Sequence, residues 1–199
     1  MKIKGLLQKK VGLLESCSKK ALLSSAAALS QMTGEIINVG NPYVEVVKKD
    51  KILSFMEKDS DKITLVRLNI CGILEGDICL VLSDDHTKEL IEKVASKNLP
   101  GKMAQDLSDS ILGEVGNIVA ASYINVLGET FGTVLLPSVP YLSFLESKDT
   151  LYETVFGNGK ATKYGLTLTC KFHIDGRGID LVFLLLLISG SLDSLMEDV

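Results

Sequence analysis

The stretch ALSQMTGEIINVGNPY at residues 28–43 has a counterpart in VLGETFGTVLLPSVPY at residues 126–141. A shift of 98 residues aligns the two stretches. It places Leu29 opposite Leu127, Gly34 opposite Gly132, and Tyr43 of one Pro-Tyr pair opposite Tyr141 of the other. The repeat predicts one domain built from two halves, residues 1–100 and 101–199. They meet at the polar Pro-Gly segment at residues 97–102, a composition typical of a joint between units.

Each half has the same predicted order of elements, because helical periodicity is followed by strand-like runs and glycine-rich turns. A long helix comes first, at about Leu6 to Gln31 and about Asp106 to Glu129. A short strand follows, at Glu35 to Val39 and Thr133 to Leu136. A hairpin closes each half, Ile63 to Cys71 with Asp77 to Leu82, and Leu166 to Ile174 with Ile179 to Ile188. We therefore expect an α+β fold in which two pseudo-symmetric α-β-β repeats share a mostly antiparallel sheet, with the long helices packed on it.

Two further regions of the sequence complete this outline. Ser83-Asp84-Asp85 is typical of a helix cap and predicts a helix that runs to about Lys97. The segments that contain the Pro-Tyr pairs, at residues 41–56 and 139–156, have mixed character and no firm assignment.

Composition limits the classes of function. The chain has 199 residues, a formal charge of −4 and 46% hydrophobic residues, which argues against disorder and against a phosphate-binding basic surface for nucleic acid. The four cysteines form no CxxC pair, so we expect reduced thiols and no zinc site. The longest apolar run, Leu181 to Ile188, is too short to span a bilayer as a helix. We expect a cytoplasmic protein that does not insert into membranes.

The second long helix carries the polar residues of greatest interest. At roughly 100° per residue, Ser110, Glu114 and Asn117 fall within about 60° of one another, opposite the apolar side of the helix. Gly113 and Gly116 each cost roughly 1 kcal/mol in a helix interior, so close approach of another backbone to this helix is one possible compensation.

Two interpretations of this trio remain open from its spacing alone. It is either the hydrophilic face of an amphipathic helix, or a site that works on groups supplied by a partner. An exposed Asn amide both donates and accepts hydrogen bonds and can aim a water, and an exposed Glu can pair with a partner's Lys. Both suit phosphoryl hydrolysis in trans, in which positioning and charge neutralisation supply most of the catalysis.

The duplicated layout and the stretch EVGNIVAASYINVLGETFG resemble the CheC/CheX/FliY family of chemotaxis phosphatases, and most closely CheC. The family signature is Asp or Ser, three residues, Glu, two residues and Asn, and Ser110, Glu114 and Asn117 match it. The segment from Asn69 to Ser83 is similar to the family's first hairpin.

The resemblance implies dephosphorylation of a CheY-type response regulator on its aspartyl phosphate. Asn117 would orient the attacking water, Glu114 would dock against a lysine of the regulator, and Ser110 would support them. The chain would bind no cofactor or metal, and the regulator would bring Mg²⁺. The alternatives are a non-enzymatic regulator that binds the receptor deamidase CheD, or a flagellar-switch-associated component.

The first half lacks this motif. The ungapped repeat places Gly12, Ser16 and Lys19 at the three positions, and one gap gives Val11, Glu15 and Ser18 instead. Neither set contains an Asn, so we expect the first half to have a degenerate site.

Three other motifs have simpler interpretations. Ser83-Asp84-Asp85-His86 is better explained as a helix cap than as a metal cluster. His173 lies in a predicted strand and is expected to be a packed or surface residue. Gly157-Asn158-Gly159-Lys160 lacks the spacing of a phosphate loop and predicts a turn.

Overall fold

The structure, a computed structural model, describes residues 2–46, 62–98, 107–157, 164–175, 178–188 and 190–191. The helices are α1 (Lys2–Thr33), α2 (Asp84–Asn98), α3 (Ser108–Phe131) and α4 (Lys148–Phe156). The strands are β1 (Ile37–Val39), β2 (Tyr43–Val46), β3 (Ile63–Cys71), β4 (Gly76–Ser83), β5 (Leu136–Pro137), β6 (Tyr141–Leu145), β7 (Tyr164–Ile174) and β8 (Ile179–Ile188). Four sequence features lie wholly or partly outside the described residues: the first Pro-Tyr segment beyond residue 46, the joint at 99–102, the turn at 158–160 and the second hairpin turn at 176–177.

The strands form one antiparallel sheet with the order β1-β7-β8-β4-β3-β5, in which β2 also pairs with β7 and β6 also pairs with β3. The two long hairpins meet where β4 runs beside β8, from Gly76 opposite Leu187 to Val81 opposite Val182. The predicted α+β class, with helices packed on an antiparallel sheet, is confirmed.

The short strands cross over between the halves of the chain. β1 pairs with β7, with Ile37 opposite Ile174, whereas β5 pairs with β3, with Leu136 opposite Cys71. Each short strand thus extends the hairpin of the other half, and neither half completes its sheet alone. Such an exchange is what two related units would produce, and the division into repeats at residues 1–100 and 101–199 stays a prediction.

The two faces of the sheet are covered by different helices. α1 and α3 pack on the face that holds Phe183 and Leu185, and α4 packs on the face that holds Leu184 and Leu186. Because successive side chains of a strand point to opposite faces, a strand covered on both sides must be apolar throughout. This explains the uninterrupted apolar run in β8, whose residues 181–187 are all buried.

Helix α3 forms the centre of the larger core. By length and composition it could cross a membrane, but 61% of its apolar window is buried inside the protein. Gly116 allows α3 to approach β3, because a Cβ at this position would lie 2.5 Å from Cγ1 of Val66. The close neighbour at Gly116 is therefore a side chain and not another backbone, which was one possible compensation, and a Cβ at Gly113 would meet nothing within 4 Å.

The strand predicted at Thr133 to Leu136 begins later than expected, because α3 ends in a cap that includes Thr133. Gly132 adopts a left-handed conformation at φ 62°, and the amide of Thr133 donates to the carbonyl of Gly128 at 2.9 Å. Thr133 therefore belongs to the helix cap, and Leu135 is buried in the core. Pairing with β3 begins at Leu136, so the strand predicted at Thr133 to Leu136 starts three residues late.

The segments at residues 41–56 and 139–156 had no firm assignment from the sequence. Their described parts contain strands β2 and β6 and helix α4. β6 continues the sheet beside β3, and α4 begins after Ser147, whose Oγ accepts from the amide of Thr150 at 3.1 Å. The predicted start of α2 is confirmed, because Oγ of Ser83 accepts from the amide of His86 at 3.3 Å.

Candidate functional site

Ser110, Glu114 and Asn117 lie on the solvent-exposed side of α3. The opposite side of the helix is held in the core by Leu112, Val115 and Val119, all at most 1% exposed. The predicted division of the helix into a polar and an apolar face is therefore present. The chemical role of the three polar residues stays a prediction.

None of these three side chains makes a hydrogen bond or ion pair with the other residues that the structure describes. Helix α3 has no Lys or Arg between residues 108 and 131 and carries the acidic residues Asp109, Glu114 and Glu129. The carboxylate of Glu114 and the amide of Asn117 are therefore available to an approaching molecule. In a folded core such groups would be paired within the protein.

An open groove of about 700 Å³ lies beside the trio. Its walls come from three helices, with Ala28 and Met32 of α1, Val94 of α2, and Ile111 and Ile118 of α3. Ser110 and Glu114 also line it, so two of the three predicted site residues border an apolar depression. Sequence reasoning missed this groove, because it forms where the end of α1, the end of α2 and the start of α3 come together.

The structure shows which of the two alignments of the first half places its residues on the exposed side of α1. Ser16 and Lys19 are exposed on α1, whereas Ser18 is fully buried and its Oγ lies 2.6 Å from the hydroxyl of Tyr123. Gly12 is also exposed, so the ungapped set, Gly12, Ser16 and Lys19, is the one that faces outward. Neither a Lys nor a Ser at these positions reproduces the carboxylate and amide of α3.

The two histidines both contact Asp180. Nδ1 of His173 lies 2.7 Å from a carboxylate oxygen of Asp180, and Nδ1 of His86 accepts from the backbone amide of Asp180 at 3.4 Å. Nζ of Lys171 donates to the other carboxylate oxygen at 2.9 Å. Partial burial acts to raise the pKa of Asp180, but these bonds from His173 and Lys171 outweigh it and lower the pKa. Among the described residues no group of three or more His, Cys, Asp or Glu side chains could hold a metal.

A second polar cluster lies within the sheet and escaped sequence reasoning. Asp77 is 1% exposed, and its carboxylate accepts from Arg67 at 2.6 Å and from Tyr164 and Asn69. Burial, followed by the neighbouring Asp77, raises the pKa of Tyr164. The carboxylate of Asp77 is therefore satisfied by neighbouring side chains of the sheet, as a buried charge requires.

The cysteines are all free thiols. Cys17, Cys79 and Cys170 are buried and Cys71 is exposed. Burial raises the pKa of Cys79 to about 12 and the pKa of Cys170 to about 11, so neither is a thiolate near neutral pH.

Comparison with known proteins supports the predicted resemblance. Residues 107–143 match the family model described as the CheC-like family, and this segment contains Ser110, Glu114 and Asn117. The chain is 24% identical over 144 residues to the CheY-P phosphatase CheC of Bacillus subtilis (strain 168), which covers 70% of this chain and 68% of that protein.

Two solved structures show the same fold. The crystal structure of Thermotoga maritima FliY superimposes with a TM-score of 0.69 at 18% identity, over 95% of this chain and 94% of that chain. The CheX of Borrelia burgdorferi, in its complex with CheY, BeF₃ and Mg²⁺, superimposes with a TM-score of 0.54 at 15% identity, over 86% and 98%. The resemblance to CheC, CheX and FliY proteins is thereby confirmed.

Proposed function

We propose that this chain hydrolyses the aspartyl phosphate of a CheY-type chemotaxis response regulator. One observation carries the proposal: a carboxylate and a carboxamide, Glu114 and Asn117, stand exposed and unpaired by described residues on adjacent turns of α3. They lie in the segment that matches the CheC-like family model. The Bacillus subtilis relative, 24% identical, is a CheY-P phosphatase.

Asn117 is the residue that orients the attacking water. Its amide oxygen accepts one hydrogen bond from the water while its NH₂ group remains free to donate to the regulator. The water oxygen attacks phosphorus in line with the bond to the aspartate oxygen. That bond breaks, the aspartate carboxylate leaves, and the water proton passes into the inorganic phosphate formed. Positioning of this kind suffices, because phosphoryl transfer needs little covalent chemistry from the protein.

Glu114 is the residue that fixes the position of the regulator. An exposed carboxylate with no cation on its own helix attracts a basic group, and a charge-assisted bond to a lysine of the regulator would set the register of α3 over the phosphoryl group. Ser110, one turn before Glu114, supports this contact.

The chain itself supplies no metal or cofactor in this proposal. The Mg²⁺ ion comes with the regulator, as the complex of Borrelia burgdorferi CheX with CheY, BeF₃ and Mg²⁺ suggests. Because the partner is a cytoplasmic signalling protein, we place this chain in the cytoplasm. The second half, residues 101–199, holds the active face, and the first half, residues 1–100, holds the degenerate one at Ser16 and Lys19.

The proposal is tested by the lifetime of the phosphorylated regulator. Each CheY-type regulator encoded in the same genome is loaded with acetyl phosphate and Mg²⁺, freed of the donor, and followed with and without this chain. We expect faster loss of phosphate from at least one of them. If none decays faster, the phosphatase proposal fails, and retention of CheD by the immobilised chain would favour the non-enzymatic alternative.

A further inference from the structure

We propose that the groove between α1, α2 and α3 receives an apolar side chain of the regulator and thereby selects which regulator is dephosphorylated. The occupant is an apolar residue that lies next to the basic group bound by Glu114. This inference rests on the proposed function, because it assigns a second contact to the same partner.

The position of the groove supports this inference. Glu114 and Ser110 belong both to its wall and to the exposed face of α3 that carries Asn117. A regulator that brings its phosphoryl group to Asn117 therefore covers the mouth of the groove. The volume of about 700 Å³ lies within the range of about 300–1,000 Å³ typical of protein binding pockets.

The chemistry of the walls defines the occupant. Met32 and Ile118 are only partly buried in the free chain, so covering the groove would remove apolar surface from water. Among the described residues that line the groove, Glu114 is the one with a charged side chain. The groove is therefore complementary to an apolar group that has a positive charge at one end. An acidic segment would place like charges together at Glu114.

The two contacts also strengthen each other. An apolar side chain seated beside Glu114 excludes water from the ion pair, and an ion pair is stronger where water is excluded. A regulator that offers the lysine without the apolar neighbour would bind more weakly, although its phosphoryl chemistry would be the same. The groove should therefore affect KM and leave kcat nearly unchanged.

The test fills the groove from α1. Ala28→Phe adds a ring to the wall of the groove, which Ile118 and Val94 also line. Ser16→Phe adds the same ring to an exposed position of the same helix that does not line the groove. Decay is measured against regulator concentration, with the most rapidly dephosphorylated regulator of the panel as the probe. We expect KM to rise at least tenfold in Ala28→Phe with kcat within twofold of wild type, and no change in Ser16→Phe.

A second variant and a binding measurement distinguish a filled groove from a misfolded protein. Ala28→Leu fills less of the groove and should give an intermediate KM. The affinity of each folded variant for the regulator bound to BeF₃ and Mg²⁺, measured by calorimetry, should follow KM. An unchanged KM and affinity in both Ala28 variants would overturn the groove inference alone. A wild-type chain that neither binds nor dephosphorylates any regulator would instead overturn the proposed function.

Discussion

The hydroxyl of Ser18 on α1 lies 2.6 Å from the hydroxyl of Tyr123 on α3, and both residues are fully buried. A second contact, from Oγ of Ser25 to the carbonyl of Val119 at 2.9 Å, shows that the two helices run in opposite directions. Together these bonds fix the register of α1 against α3. They also determine which side of α3 faces outward, and so link the core of the protein to its candidate site.

Loss of the hydrogen bond between these helices should destabilise the protein. In Tyr123→Phe the hydroxyl of Ser18 loses its buried partner, and we expect the free energy of unfolding to fall by about 1–3 kcal/mol. Urea unfolding measures the change. The double variant Ser18→Ala/Tyr123→Phe should lose less than the sum of the two single variants, because the unpaired hydroxyl is removed. Additive losses would show that the bond contributes nothing.

Two of the three glycines of α3, Gly113 and Gly116, should respond in opposite directions to substitution by Ala. Gly113→Ala meets open space and should raise the free energy of unfolding by up to about 1 kcal/mol through helix propensity. Gly116→Ala brings a Cβ to 2.5 Å from Val66, a short branched side chain in the core, and overpacking of this kind costs about 1–3 kcal/mol. Thermal or urea unfolding of the two variants measures the sign of each change in the free energy of unfolding. Equal effects would show that α3 does not approach β3 this closely.

Lowering the pH should reduce the contribution of Asp180 to the free energy of unfolding. The pKa of Asp180 is lower in the folded chain than in the unfolded chain, where Asp titrates at about 3.9. Its stabilising effect is therefore present above that value and is lost as the pH falls through the folded pKa. Asp180→Asn should be less stable than wild type at pH 7, and the difference should shrink below about pH 4. A difference that stays constant with pH would contradict this assignment.

Substitutions on α1 should leave catalysis unchanged. Ser16 and Lys19 are exposed at the positions that correspond to Glu114 and Asn117, but they offer no carboxylate and no amide. We expect Ser16→Ala and Lys19→Ala to dephosphorylate the regulator at the wild-type rate. A large loss in either variant would mean that the first half takes part in the reaction.

Periodicity and turn residues were enough to predict the two long helices, the two hairpins and the polar face of α3. They failed where the structure depends on residues distant in sequence. The start of β5 at Leu136 depends on pairing with Cys71, and the exchange of short strands depends on Ile37 meeting Ile174. The groove beside Glu114 escaped for the same reason, since three separate helices form it. Local patterns carry no information about such contacts.

In the proposed reaction the amide of Asn117 holds the attacking water, and replacing that one side chain tests this role. Phosphate release from the loaded regulator is followed at saturating concentration with wild type, Asn117→Ala and Asn125→Ala. Asn125 is a matched control, since it is an exposed Asn farther along the same helix. We predict that Asn117→Ala remains folded and loses the acceleration, because an exposed helical Asn contributes little to stability, whereas Asn125→Ala retains it. Normal phosphate release by Asn117→Ala would show that Asn117 does not hold the attacking water.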